Sequence, residues 1–526
     1  MGLKRLLSIG LALPVAVAWV LLSGVAVQAS STRYVSTTGT DNPTCDFSNP
    51  CRTVQHAVNI ATPGDTIRIA AGTYTEQVMV DRSLTFIGAG IDTTTIKAPL
   101  SKTFDLFGRT YVFELSGTIV DNVTKLTVSG PGAPGGGNNC ALNPDSLDNG
   151  VVVAHGATLN MTNSAVRDIR DLPDSGCQRG TAISIGRPGS PPPALCPLDA
   201  CVGHANISWV QITNYQKNGV AVRGTGPMSG STLSLSNSYI NDAPSTIIAS
   251  NGVEVLTGAR GDVQDNFIAD NECNALNCSP DPLALNKYQA SGVLVFQADL
   301  QTTVDHNVVT KNDIGIYTDD GIPVTNNNAN GNRYEGIFVD TDATGAMVQG
   351  NTANDGQYGI YVNGATGNTF QFDSAHRNSP TDMFTSDPAN AFHSNSCDTA
   401  VPSKQVWDCT QPECQEGDGN GDFQGQQQGN FSSDNDGCKD GDQDGVRSTN
   451  RGDGKDFQST QINSTKFDSA AHSITVTGLG LSGGLPVSFV FVAIETGPTT
   501  PGWVSFTFSD GYANAGPLLD GSVLLH

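Results

Sequence analysis

Short runs of glycine followed by alternating apolar residues recur along this chain, and their spacing restricts the fold more than any other feature. The runs are "NGVVV" at Gly150, "NGVAV" at Gly219, "NGVEV" at Gly252, "SGVLV" at Gly292, "IGIYT" at Gly315, "EGIFV" at Gly336 and "YGIYV" at Gly359. The last four return at a period of about 22 residues, too short for a domain and too regular for chance. The gap from Gly150 to Gly219 holds about three such periods, and insertions near 188–201 and 270–290 account for the other long gaps. β-type runs at this period, with no helical pattern between them, predict one strand-and-turn unit stacked many times.

A second motif follows the first. Asn163, Asn237, Asn266, Asn307 and Asn351 each stand beside an apolar pair. Asparagine tolerates left-handed turns, and stacked asparagines can hydrogen-bond along a stack. Each repeat is therefore read as one coil of a parallel β-helix, with Val, Ile and Leu inside. A leucine-rich horseshoe would need an L-x-x-L-x-L frame, which is missing. With 59 glycines in 526 residues and only 15% charged side chains, composition also favours strands and tight turns.

Ahead of the repeats, "CRTVQHAVNIA" (51–61) places Val54, Ala57, Val58 and Ala61 on one helical face. Such a helix would cap the first coil and hide its edge. The stretch "TVQHAVNIATPGDTIRIAAGTYTE" resembles the opening of right-handed parallel β-helix proteins of the pectate-lyase-like superfamily, and the resemblance extends over roughly residues 33–400. It implies an all-β, right-handed parallel β-helix. That superfamily includes lyases, hydrolases, esterases, epimerases and non-catalytic surface proteins, so the fold assigns no activity. None of the motifs "GHG", "RIK", "QDT" or "DPH" of its enzyme families occurs, and no catalytic position is carried over.

The chain starts with Lys4 and Arg5, an apolar stretch and then "VQAS", which reads as a secretory signal over residues 1–29. Twelve cysteines suit an oxidising compartment. Cys45 with Cys51, Cys196 with Cys201 and Cys273 with Cys278 would staple small loops, Cys140 would pair with Cys177, and Cys397, Cys409, Cys414 and Cys438 form a late group. No histidine stands at zinc-ligand spacing among them. Lys plus Arg number 27 against 51 Asp plus Glu, a formal charge of −24, which excludes nucleic acid as a natural partner. No segment beyond the signal is long and apolar enough to span a bilayer.

Strand alternation sends the second residue after each glycine outward. Up the stack these are Val152, Ala221, Glu254, Leu294, Tyr317, Phe338 and Tyr361, ending in three consecutive aromatics, with Asp319, Asp340 and Asn363 two residues further on. Aromatic rings beside carboxylates and amides suit a sugar chain, so Tyr317, Phe338, Tyr361 and Asn363 are expected to contact polysaccharide or a cell-surface glycan. Asp319 and Asp340, on adjacent coils, are the expected catalytic pair, though like charges there also suit a solvated turn or a calcium site. Arg223, His155, His306 and Lys311 are the basic side chains a lyase would draw on. Aromatic ladders also stabilise sheets without any ligand, so a non-catalytic structural or adhesion protein stays open beside a polysaccharide-processing one.

After the coils, residues 401–455 read as a Cys-, Gly- and Asp-rich linker. Its "DGDQDG" offers Asp440, Asp442 and Asp444 as calcium ligands, although Arg451 stands where an EF-hand needs glutamate. Residues 456–526 alternate polar and apolar residues between Gly and Pro turns, which predicts a small C-terminal β-sandwich-like domain. The whole is read as a secreted or cell-surface protein.

Overall fold

The computed structural model describes residues 30–525 except 106, 136–139, 142, 187–200, 225–229, 243–246, 275–277, 279–289, 388, 411–415, 425–427, 437–444, 451–453, 469–472, 495–502, 510–511 and 520–521. The expected signal (1–29), Cys196, Cys414, Cys438 and the expected calcium ligands Asp440, Asp442 and Asp444 lie outside the described residues.

Three long parallel sheets form the body, and the chain visits them in turn, as a β-helix requires. The first sheet has thirteen strands and the second has twelve; the third has eight, continued by a three-stranded piece. Core residues of the second sheet stack in register from Phe113 through Val151, Ile183, Val220, Val253, Val293, Ile316, Ile337 and Ile360 to Met383. The interior is a continuous column of such aliphatic side chains, most of them fully buried. Helix Val54–Ile60 covers the first coil, capped by the Thr53 side chain, which accepts from the His56 N–H. A short helix, Lys404–Trp407, closes the other end over the fully buried Trp407.

Glycine recurs because the stack leaves no room for a side chain. A Cβ at Gly315 would lie 2.4 Å from the carbonyl oxygen of Gly336, and one at Gly252 2.6 Å from that of Gly292. Between Gly150 and Gly219 the chain makes one extra rung, Thr181–Gly186, and its coils are longer than the period had suggested. That rung carries Ala182 where its neighbours carry glycine, which hid it from the motif.

The asparagines fall into two columns. Asn163 and Asn237 hold positive φ, as turn residues. Asn266, Asn307 and Asn351 belong to a buried ladder that also takes in Asn327. Each Nδ2 donates to the Oδ1 of the next rung, from Asn266 to Asn307 (3.0 Å), Asn327 (3.0 Å) and Asn351 (3.1 Å). Each of these amides also donates to a carbonyl of the coil beneath. The next rung is an acid: Asn351 Nδ2 donates to Asp373 Oδ1 (2.9 Å), and the Asp373 N–H donates to Asn395 Oδ1 (3.0 Å).

Between described residues, four disulfides follow the expected proximities: Cys45–Cys51, Cys140–Cys177, Cys273–Cys278 and Cys397–Cys409. The antiparallel C-terminal domain begins earlier than the sequence suggested. Strands Glu416–Gln424, Gln428–Asp436 and Gly445–Ser448, within the region expected to be a linker, join its nine-stranded sheet. The sheet closes through a bridge between Phe423 and Leu518 around a phenylalanine-rich core. A polar-rich composition disguised these strands, because closure leaves only one face of each to be apolar. Among the described residues, no helix is long and apolar enough to cross a membrane.

Asp373 yields a test. Its Oδ2 is buried without a partner, at the place where each neighbouring asparagine donates. Only a protonated carboxyl can donate there, and burial pushes this group up to about 7. An acid whose folded pKa is raised stabilises the fold fully below its unfolded value of 3.8 and loses that contribution as pH rises through 7. Asp373→Asn should therefore raise stability over the parent by up to about 4 kcal/mol at pH 8 and by little at pH 4, measured by denaturant unfolding across pH.

Candidate functional site

The outward column of the second sheet runs in register through Glu114, Val152, Ser184, Ala221, Glu254, Leu294, Tyr317, Phe338, Tyr361 and Phe384. Its two halves differ. Towards the C-terminal end the coils are short and the aromatics pack on one another: Tyr317 meets Phe338 edge-on at 5.2 Å, Phe338 meets Tyr361 at 5.4 Å, and Tyr361 stacks on Phe384 at 4.7 Å. Phe338 is 3% exposed and Tyr361 7%. These two rings form a small core with Ile314 and offer little surface to a sugar, so the aromatic run acts here chiefly as a sheet-stabilising ladder.

The acids beside it are engaged differently from the expected cross-coil pair. Asp340 accepts from the Tyr317 hydroxyl (2.7 Å) and from Asn363 Nδ2 (2.8 Å). Asp319 interacts instead with its neighbour Asp320. Its Oδ1 accepts from the Gln297 N–H (3.0 Å), and Asp320 Oδ2 accepts from the Ala298 N–H (2.7 Å). Both carboxylates thus satisfy a turn of the coil beneath. Burial, then the charge of Asp320, pushes Asp319 up to about 7, and Asp342 adds to the repulsion. Among the described residues, the one His/Cys/Asp/Glu group whose ligand atoms lie within 4.8 Å of one another is Cys45, Cys51 and His56, where both cysteines are bonded to each other.

In the N-terminal half the coils are long, and their insertions wall a cavity of about 290 Å³ on the same face. Val152, Ala154 and Ser184 supply the sheet surface; Arg109, Arg179, Lys217 and Arg223 bring four cations to it. The wall is tightly tied. Asp148 Oδ2 accepts from the N–H (2.8 Å) and hydroxyl (3.1 Å) of Thr110, and Asp148 lies 3.6 Å from Arg109. Arg179 pairs with the buried Asp171 at 3.0 Å. Arg223 forms a close ion pair with Glu254, which also accepts from Asn218 Nδ2 (3.2 Å) and Asn251 Nδ2 (3.4 Å).

Burial holds the Lys217 amine below the ordinary lysine range, Glu254 opposing that shift and Arg223 adding to it, while its Nζ donates to the Ala249 carbonyl (2.6 Å). Next to the Val152 rung, Glu114 is pushed up to about 7 by burial and then by Asp105, with the Tyr111 hydroxyl opposing. The cavity therefore joins four cations to two lining acids, Asp105 and Asp148, with the proton-holding carboxyl of Glu114 on the rung before Val152.

Of the basic side chains singled out from sequence, Arg223 lines this cavity, and His155 stacks on the cavity residue Phe107 (5.1 Å, planes 6° apart). His306 instead pairs with Asp305 (2.6 Å), and Lys311 lies in a separate cleft between the third sheet and the C-terminal domain. Sequence reasoning missed Arg109, Arg179 and Lys217. All three lie outside the glycine-run motif, on segments whose only visible signal was that the coils carrying them are long.

Residues 200–397 match the family model described as a right handed beta helix region, in keeping with the stacked parallel coils of the fold. No curated protein is significantly similar in sequence. Among solved structures, the Agl-KA catalytic domain is 12% identical with a TM-score of 0.43 over 65% of this chain and 61% of that one. The chain thus spans less than two thirds of that domain. An alginate lyase from Paenibacillus sp. str. FPU-7 is 16% identical (TM-score 0.31, 69% of this chain, 97% of that one). The periplasmic alginate epimerase AlgG, as a double mutant, is 12% identical (TM-score 0.37, 66% and 83%). At such scores none of their activities transfers to this chain.

The Arg223–Glu254 pair is mostly buried, so removing one partner leaves an uncompensated charge. Arg223→Met should cost about 3 kcal/mol in urea unfolding, and adding Glu254→Leu should recover most of it.

Proposed function

We propose that this is an exported β-helix protein that binds extracellular polysaccharide on the outer face of its second sheet, seating an acidic sugar in the cavity between Arg109 and Arg223. One observation carries the reading: four of the 27 basic residues of a chain with net charge −24 line a single walled cavity. Guanidinium groups recognise carboxylates and sulfates by paired hydrogen bonds, and a partly buried site strengthens each charge. The surrounding negative potential repels a free polyanion, and the cations gathered at this cavity oppose that repulsion locally. The leader-like segment 1–29 and the disulfides support export. The cavity volume suits one or two sugar rings, with the rest of a polymer lying along the sheet.

Isothermal titration with oligogalacturonate, oligomannuronate, a sulfated oligosaccharide and a neutral cello-oligosaccharide tests the proposal. At least one acidic ligand should bind, more weakly at high salt, and the neutral one should not. Arg109→Gln should weaken that binding about tenfold, or about 1.4 kcal/mol, with thermal stability nearly unchanged because Arg109 is half exposed. Equal binding of neutral and acidic ligands, or none at all, overturns the assignment. Release of reducing ends or of unsaturated uronate from the same ligands decides whether binding leads to cleavage. Running each titration with calcium and with a chelator decides whether that ion takes part in binding.

A further inference from the structure

Arg179 reaches the cavity from an insertion, residues 170–180, whose ties to the rest of the fold include two that matter here. One is the Cys140–Cys177 disulfide, which ties it to the preceding insertion. The other is Gln216, a fully buried side chain on the next coil, directly before the cavity residue Lys217. Both ends of its amide are used. Oε1 accepts from the N–H groups of Asp171 (3.1 Å) and Ser175 (3.3 Å), and Nε2 donates to Ser175 Oγ (3.1 Å) and the Cys177 carbonyl (3.0 Å).

Asp171, seated in this way, accepts a close hydrogen bond from the Ser175 hydroxyl and pairs with Arg179. The backbone completes the dock: the Gln216 N–H donates to the carbonyls of Ile169 (3.1 Å) and Gly180 (3.2 Å), and the Lys217 N–H to that of Gly180 (3.0 Å).

We infer that Gln216 is a positioning residue for the cavity: through Asp171 it sets where the Arg179 guanidinium stands, and so sets the affinity of the site for an anionic sugar. The affinity half of this statement rests on the reading of the cavity given above; the placement of Arg179 does not. The chemistry is specific to an amide. An apolar side chain of equal length strands the buried N–H donors of Asp171 and Ser175 and the Cys177 carbonyl, and the insertion then leaves its seat to hydrate them. Glutamate keeps the acceptor but sets a second carboxylate beside Asp171, repelling the group that holds Arg179.

The test uses the full-length oxidised protein and two independent readouts. In the first, phenylglyoxal labelling followed by peptide mass mapping reports the accessibility of each arginine. Arg179 should be protected in the parent and labelled at least about tenfold faster in Gln216→Met, with Arg223 unchanged, since loss of the dock opens one insertion locally.

In the second, titration with oligogalacturonate should show Gln216→Met and Arg179→Gln each weakening binding about tenfold, and the double variant should be no weaker than Arg179→Gln alone, as coupled residues require. Should Gln216→Met fail to fold, Gln216→Asn replaces it, keeping both amide ends on a shorter stem. Continued protection of Arg179, or losses that simply add, overturns the inference. If the parent binds no acidic sugar at all, the proposed function falls by itself, and the labelling result alone decides the role of Gln216.

Discussion

Everything in the coiled body depends on the close approach of successive coils, rung upon rung, at roughly 4.8 Å. That distance is fixed by main-chain hydrogen bonds and leaves no room for a side chain at the rungs that begin with glycine, whereas Val112, Ala182 and Asp382 hold the same position on other rungs. Gly219, Gly252, Gly292, Gly315, Gly336 and Gly359 each face the backbone of the following rung, most at less than 3 Å from an imagined Cβ. Once that column is set, the aliphatic interior, the two asparagine columns and the outward column all follow from strand alternation. A coil is thus specified by few residues, and the remainder are free to vary or to carry insertions.

That freedom explains what was legible beforehand. The fold, the capping helix and the disulfide proximities were readable because they are written in the repeating positions or in short spacings. The outward direction of Tyr317, Phe338 and Tyr361 was also readable, since alternation determines it. Their burial was not, because it depends on how the rings of neighbouring rungs pack over one another and over Ile314, Tyr358 and Phe384. Likewise Asp319 and Asp340 do sit on adjacent rungs. Which partner each carboxylate takes was decided by a turn N–H in one case and a tyrosine hydroxyl in the other. Such choices depend on local geometry that no spacing encodes.

The cavity illustrates the opposite limit. Its cations come from positions 109, 179, 217 and 223, of which only the last lies in a recognisable run. The first two belong to insertions joined through the segment that carries Cys140 and Asp148, by the Asp148–Thr110 bonds on one side and the Cys140–Cys177 bridge on the other. A periodic scaffold supplies a straight, rigid edge, and irregular segments hung from it supply concavity. Binding surfaces on such scaffolds are accordingly to be sought where the repeat is violated, because a perfectly regular coil has nothing with which to build a wall.

The buried amide ladder has a direction. From Asn266 to Asn351 every side chain gives its hydrogen to the rung above and receives one from the rung below, like a queue passing a bucket one way. At Asp373 the queue reaches a member that can pass something on only while it holds a proton. With the proton present, the line runs on to Asn395 and the coil sealed by Trp407. Without it, the side chains stop passing hydrogens at Asp373, and the Asp373 main-chain N–H alone still reaches Asn395 along this column.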